Sequence, residues 1–100
     1  FMIHVGIAVS MDVAALLRKH GSRWVSLHLK DLKKGVACGV HTGKTDVEHD
    51  VTLGTGQMDW IAILRAAREA GVKHTFIEDE SSRSSAQIPE TKRFLESLRW

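Results

Sequence analysis

The stretch VSLHLKD (Val25–Asp31), followed at a distance by LGTGQMDWIAIL (Leu53–Leu64) and HTFIEDE (His74–Glu80), decides the fold. The first and third pieces are apolar runs that end in polar, chemically competent side chains. The middle piece is a Gly-rich turn leading into a helix. Two strands joined through a loop and a helix make a βαβ unit, and in parallel α/β folds the carboxyl ends of the strands are where active sites are assembled.

Working outward, the pattern predicts three strand-then-helix units. The first strand is expected at Met2 to about Ala8, rich in Ile and Val, and the helix after it at about Asp12 to His20. In that helix Val13, Leu16 and Leu17 recur at helical spacing, Ser10 or Asp12 can cap it, and Gly21 stops it. Trp24–Leu29 reads as a strand buried on both faces. Asp31 to Thr55 reads as a long polar loop with Gly35, Gly39, Gly43 and Gly54.

Asp59 is placed to cap a helix over Trp60–Ala70, with Trp60, Ile61, Leu64 and Ala67 facing inward and Gly71 as its stop. Lys73–Ile77 gives the third strand. After the Ser-rich turn Ser81–Ser85, a last helix is expected at about Gln87–Leu98. Its stripe would be Ile88, Thr91, Leu95 and Leu98, with Phe94 alongside and Pro89 in the first turn. The order βαβαβα implies parallel strands with right-handed crossovers. Three such strands leave both sheet edges unpaired, so the chain is expected to associate with itself, as a dimer or tetramer, or with a missing segment.

Composition sets limits. The 100 residues make one small domain, with 43% hydrophobic and 26% charged side chains, which is ordinary for a folded protein. A net charge of +2, with 14 basic residues dispersed among 12 acids, gives no support to nucleic-acid binding. The cluster Lys30, Lys33, Lys34 reads as a solvated loop. Cys38 stands alone, which fits a reducing, cytoplasmic setting and an inert thiol. No run of about 20 apolar residues offers a membrane span, and no signal peptide is recognisable. Phe1 before Met2, and the immediate entry into strand-like sequence, fit a piece of something longer.

VSLHLKD, LGTGQMDWIAILRAAREAGVKHTFIEDES and QIPETKRFLESL together resemble the carboxy-terminal part of the sugar phosphate isomerase/epimerase family, (β/α)₈ barrels of the xylose-isomerase-like type. The resemblance runs from about Val13 to Leu98. It implies the last three units of a TIM barrel and a divalent ion (Mn²⁺, Mg²⁺ or Co²⁺) held by two glutamates, an aspartate and a histidine at four strand ends. His28 falls on the family's histidine ligand and Glu78 on its last glutamate. His4 can match the histidine of a D-x-x-H pattern, but the aspartate then falls on Phe1 or, in another alignment, on Met2. The family's first glutamate would precede the chain.

The resemblance therefore implies a fragment of a metal-dependent sugar or sugar-phosphate isomerase with half its metal ligands, and with Lys30, Asp31 and His4 as the surrounding catalytic side chains. Two other readings stand beside it: a non-catalytic barrel fragment that oligomerises, and a metal-dependent hydrolase or endonuclease of the same superfamily. Each residue also has a plainer account. His28 can be a strand-end histidine bonded to Asp31, and Lys30 can be a salt bridge to Asp31 or Glu78. Asp79 and Glu80 read as solvated turn acids, and Asp46, Glu48, His49 and Asp50 as a solvated loop cluster. Gly54-Thr55-Gly56 can offer backbone N–H groups to a phosphate or simply pack tightly. Trp60 reads as a packing residue rather than a sugar-stacking platform.

Overall fold

The structure, a computed structural model, describes residues 12–36 and 46–99 together with the backbone of 2–4. In chain order it contains β1 (Met2–His4), α1 (Val13–His20), β2 (Ser26–Leu29), β3 (Asp31–Leu32), β4 (Asp50–Val51), α2 (Trp60–Ala70), β5 (His74–Ile77) and α3 (Ser84–Ser97). β1, β2 and β5 form a parallel sheet in that spatial order, with His4 beside His28 and His28 beside Phe76. This is a small α/β unit in which strands consecutive in the βα repeat are neighbours in space. Residues 5–8, expected to extend the first strand, and Ser10, Cys38 and His41 lie outside the described residues.

The helix boundaries follow from local chemistry. Asp12 accepts a hydrogen bond from the Ala15 N–H at 3.0 Å, and Asp59 accepts one from Ala62 at 3.2 Å. Each carboxylate satisfies one of the amide groups that a helix start leaves without an intrahelical partner. α2 ends at Gly71, whose φ of 81° is left-handed and whose N–H bonds the Ala67 and Arg68 carbonyls. The Val72 N–H also bonds back to Ala67 at 3.0 Å, completing a Schellman-type stop. Arg18, Lys19 and His20 occupy the last turn of α1, where positive charge complements the helix dipole.

Packing is one-sided. Leu27 and Leu29 of β2 are fully buried and join Val13, Leu17, Ile63, Leu64, Ala66 and Ala67 in one core, with α1 and α2 lying against each other. Ser26 and His28, on the opposite face, are only half-buried. The expectation of a strand buried on both faces is therefore corrected. β2 alternates with period two, because the described helices cover only the face that carries Leu27 and Leu29. On β5, Phe76 shares the open face with His28 and is 51% exposed.

Three further expectations change. The long loop contains a short antiparallel ribbon, β3 with β4, in the register Asp31↔Val51 and Leu32↔Asp50. α3 starts at Ser84, not Gln87, so Pro89 sits inside the helix rather than in its first turn. Proline at that point forfeits one bond, to the Ser85 carbonyl, near an end already tied down by side chains. In α2, Ile61 is 43% exposed, and Ile63 faces the core in its place.

Candidate functional site

The open ends of β2 and β5 bring together His28, Lys30 and Glu78. His28 precedes the end of β2 by one residue, and Glu78 follows the last residue of β5. The parallel register sets His28 opposite Phe76, so Glu78, two residues further along on the same face, lies diagonally from it, and His28 Nδ1 is 2.7 Å from Glu78 Oε2. Lys30 Nζ reaches the other oxygen of Glu78 at 3.3 Å, Glu80 Oε1 at 2.7 Å and Asp50 Oδ2 at 3.4 Å. Lys30 therefore pairs with Glu78, Glu80 and Asp50, and His28 pairs with Glu78. Asp31, offered by the sequence as a partner to both, bonds elsewhere.

The electrostatics follow from these contacts. Desolvation works against the Lys30 ammonium. The hydrogen bond to Glu80 and the charges of Asp50, Glu78 and Glu80 more than offset it and hold its pKa above the usual lysine value. Desolvation likewise opposes a charged Glu78, but His28 and Lys30 outweigh it and keep this carboxyl below the ordinary glutamate range. Asp50 goes the other way: its side chain is nearly inaccessible, and desolvation raises its pKa despite the Glu80 N–H at 2.9 Å and the nearby ammonium. Asp50 Oδ1 is buried and has no hydrogen-bond partner among the described residues.

Asp31 is a structural hub. It is 1% exposed, and its two oxygens accept five N–H donors. Oδ1 takes Leu32 at 2.9 Å and Met58 at 3.2 Å. Oδ2 takes Gly54 and Gly56 at 3.1 Å and the Trp60 indole at 2.9 Å. The G-x-G amides proposed as a phosphate cradle thus already bind the protein's own carboxylate. Both glycines have steric reasons. Gly54 has φ 92°, and a Cβ there would meet the Phe94 ring at 2.5–2.9 Å; a Cβ at Gly56 would run into Asp31 Oδ1 and the Leu32 carbonyl. Trp60 is buried as a packing residue, as its helical spacing suggested.

A second clamp holds the β4 segment. Arg83 Nη2 donates to the Glu48 carbonyl at 2.7 Å and the Asp50 carbonyl at 3.2 Å, and Gln87 Nε2 donates to the Asp50 carbonyl at 3.1 Å. Glu48 accepts from the Ser82 hydroxyl and amide, which lowers its pKa although its side chain is exposed. Of the loop acids expected to be solvated, Asp46 is exposed, Glu48 is exposed but bonded to Ser82 and Arg83, and Asp50 is buried and joins the site. Nothing in its spacing marks Asp50, since a two-residue strand carries no periodicity. The side chain of His4 lies outside the described residues, although its backbone places it beside His28.

Hard divalent ions take several oxygen or imidazole ligands. His28 and Glu78 supply two donors that already face each other, and an ammonium shares the carboxylate. Among the described residues no group of three or more metal-ligating side chains is placed to hold an ion. One chain's described residues do not fit the four-ligand ion site implied by the resemblance. What the cluster can do is move protons, because an imidazole and a carboxylate at 2.7 Å form an acid–base pair with a cation beside it. No described helix is long and apolar enough to cross a membrane. Comparison with protein families, curated proteins and solved structures gives no significant match.

Proposed function

We propose that the chain is a three-unit piece of a (β/α)₈ barrel of the xylose-isomerase-like type, whose chemistry is isomerisation or epimerisation of a sugar or sugar phosphate and whose site is complete only in an assembly. The observation that carries this reading is the convergence of His28, Lys30 and Glu78 at the carboxyl ends of adjacent parallel strands. The consecutive strand order and the α1–α2 contact also suit a barrel wall, in which successive helices lie side by side on one face.

In such chemistry a base removes a proton from the carbon next to a carbonyl, and the resulting enediol takes a proton back at the neighbouring carbon or on the opposite face. The His28–Glu78 pair suits the proton transfer, and the Lys30 ammonium suits the developing oxyanion. The missing ligands would come from other copies or from other parts of a longer polypeptide.

Titration of the assembled protein with Co²⁺ or Mn²⁺ tests the metal-dependent form of this reading. Micromolar affinity that His28→Ala and Glu78→Ala each abolish supports it. Millimolar affinity, or affinity that ignores both substitutions, overturns it in favour of a non-catalytic barrel piece. A parallel assay follows deuterium uptake at the carbons flanking the carbonyl of ketose and aldose phosphates in heavy water. Uptake that is lost in Glu78→Gln supports the proton-transfer role, and no uptake by the assembled protein removes it.

A further inference from the structure

We propose that the outer edge of β5 pairs antiparallel with the same edge of a second copy, about a two-fold axis at Phe76, and that this pairing sets His74 of each copy beside Glu78 of the other. The inference rests on the self-association put forward above and names its surface.

Among the described residues β5 has a strand neighbour on one side only. The amides of His74 and Glu78 bond to β2, through the Val25 and Leu29 carbonyls. Backbone groups alternate sides along a strand, so those of Thr75 and Ile77 point outward. A two-fold axis at Phe76 sets Thr75 opposite the partner's Ile77 and Ile77 opposite the partner's Thr75. These are the outward-facing residues, so each pair can exchange both of its N–H···O bonds. A register shifted by one residue would set outward-facing groups against inward-facing ones.

Charge selects the same register. The segment Lys73-His74-Thr75-Phe76-Ile77-Glu78-Asp79 starts basic and ends acidic. Antiparallel self-pairing at Phe76 places Lys73 opposite the partner's Asp79 and His74 opposite the partner's Glu78, whereas parallel pairing would stack like on like. Exposure agrees, because His74, Thr75 and Phe76 are all exposed in the single chain. On the helix side, the partner's Ile77 would lie next to a groove of about 310 Å³ lined by Leu64, Ala67, Arg68, Val72 and Thr75. On the open side the two Phe76 rings would meet at the axis.

The consequence for the site is direct. His74, Phe76 and Glu78 share the open face with His28. Residues directly opposite in an antiparallel pair have Cβ atoms roughly 5 Å apart. The partner's His74 would then reach Glu78 and add a second imidazole to the His28–Glu78 pair, so that each site draws on both copies.

The test is light scattering combined with isotope-filtered NMR on the full chain. The wild type should have twice the single-chain mass of 11.1 kDa at micromolar concentration. Thr75→Pro removes only an outward N–H, which an edge strand tolerates, and should give a single-chain mass with unchanged circular dichroism. Lys73→Glu should weaken association by roughly tenfold or more, because it sets like charges opposite each other. Between labelled and unlabelled copies, a nuclear Overhauser contact should join the partner's His74 ring to the Glu78 methylenes. A wild type of single-chain mass overturns both self-association and this edge. An oligomer that survives both substitutions overturns the edge alone. An oligomer lost in both variants but lacking the His74–Glu78 contact overturns the shared site.

Discussion

Replacing Asp31 by asparagine puts an NH₂ group into a site built entirely from donors. With the amide oxygen in the Oδ2 position, it would keep Gly54, Gly56 and the Trp60 indole, while the new NH₂ would face the Leu32 and Met58 amides. Leaving a buried donor unsatisfied costs about 1–3 kcal/mol. The two orphaned amides therefore account for about 2–6 kcal/mol, and the three retained bonds lose their charge assistance. The opposite amide orientation orphans three donors and is worse. A domain of this length holds roughly 5–15 kcal/mol of total stability, so Asp31→Asn is expected to remove a large share of it. Urea denaturation followed by far-ultraviolet circular dichroism measures the effect. With a slope of about 1–3 kcal/mol/M, the midpoint should fall by on the order of 2 M. A shift corresponding to less than about 1 kcal/mol would refute the view of Asp31 as the clasp of this loop.

Gly56→Ala should destabilise as a large, cavity-free clash, because its Cβ would meet a backbone carbonyl that cannot swing away; thermal melts compare it with Gly35→Ala, whose Cβ would meet nothing within 4 Å and would carry only the cost of φ 84°. Thr91→Val removes the acceptor of the buried Leu53 amide and should cost about 1–3 kcal/mol by urea melt. Asp50 has a pKa raised in the folded state, so the folded protein holds its proton more tightly than the unfolded chain, and ionising it subtracts stability as pH rises from about 4. Asp50→Asn should therefore cost less at pH 7 than at pH 4, and equal costs at the two would contradict this. Glu78 is depressed, so its contribution is present above about pH 4.3 and is lost as pH falls through its lower folded value; Glu78→Gln should remove that part of the acid transition.

Much of the framework was legible because its signals are local. Asp59 and Gly71 bracket α2 as their cap chemistry dictates, and Asp12 with Gly21 does the same for α1. His28 and Glu78 were legible as strand-end residues, and the parallel register brings them together. Long-range features were not. A serine-rich start such as Ser81–Ser85 reads as a turn because serine competes for the backbone, yet Arg83 and Gln87 anchor it to the β4 segment and let the helix begin at Ser84. The inward turn of Asp31 depends on amides 23–27 residues downstream, and no pattern within VSLHLKD announces them. The burial of Asp50 has the same origin, in side chains that arrive from α3 and from Lys30.

The double fastening of residues 48–60 bears on how a small molecule would arrive. Asp31 grips residues 54–60 from one side, while Arg83 and Gln87 grip 48–50 from the other. A stretch held this firmly makes a doorframe rather than a door. Among the described residues, a visitor to Lys30 and Glu78 would meet the exposed Phe76 ring beside His28 as an aromatic threshold, and whatever packs against that ring would govern which visitors are admitted.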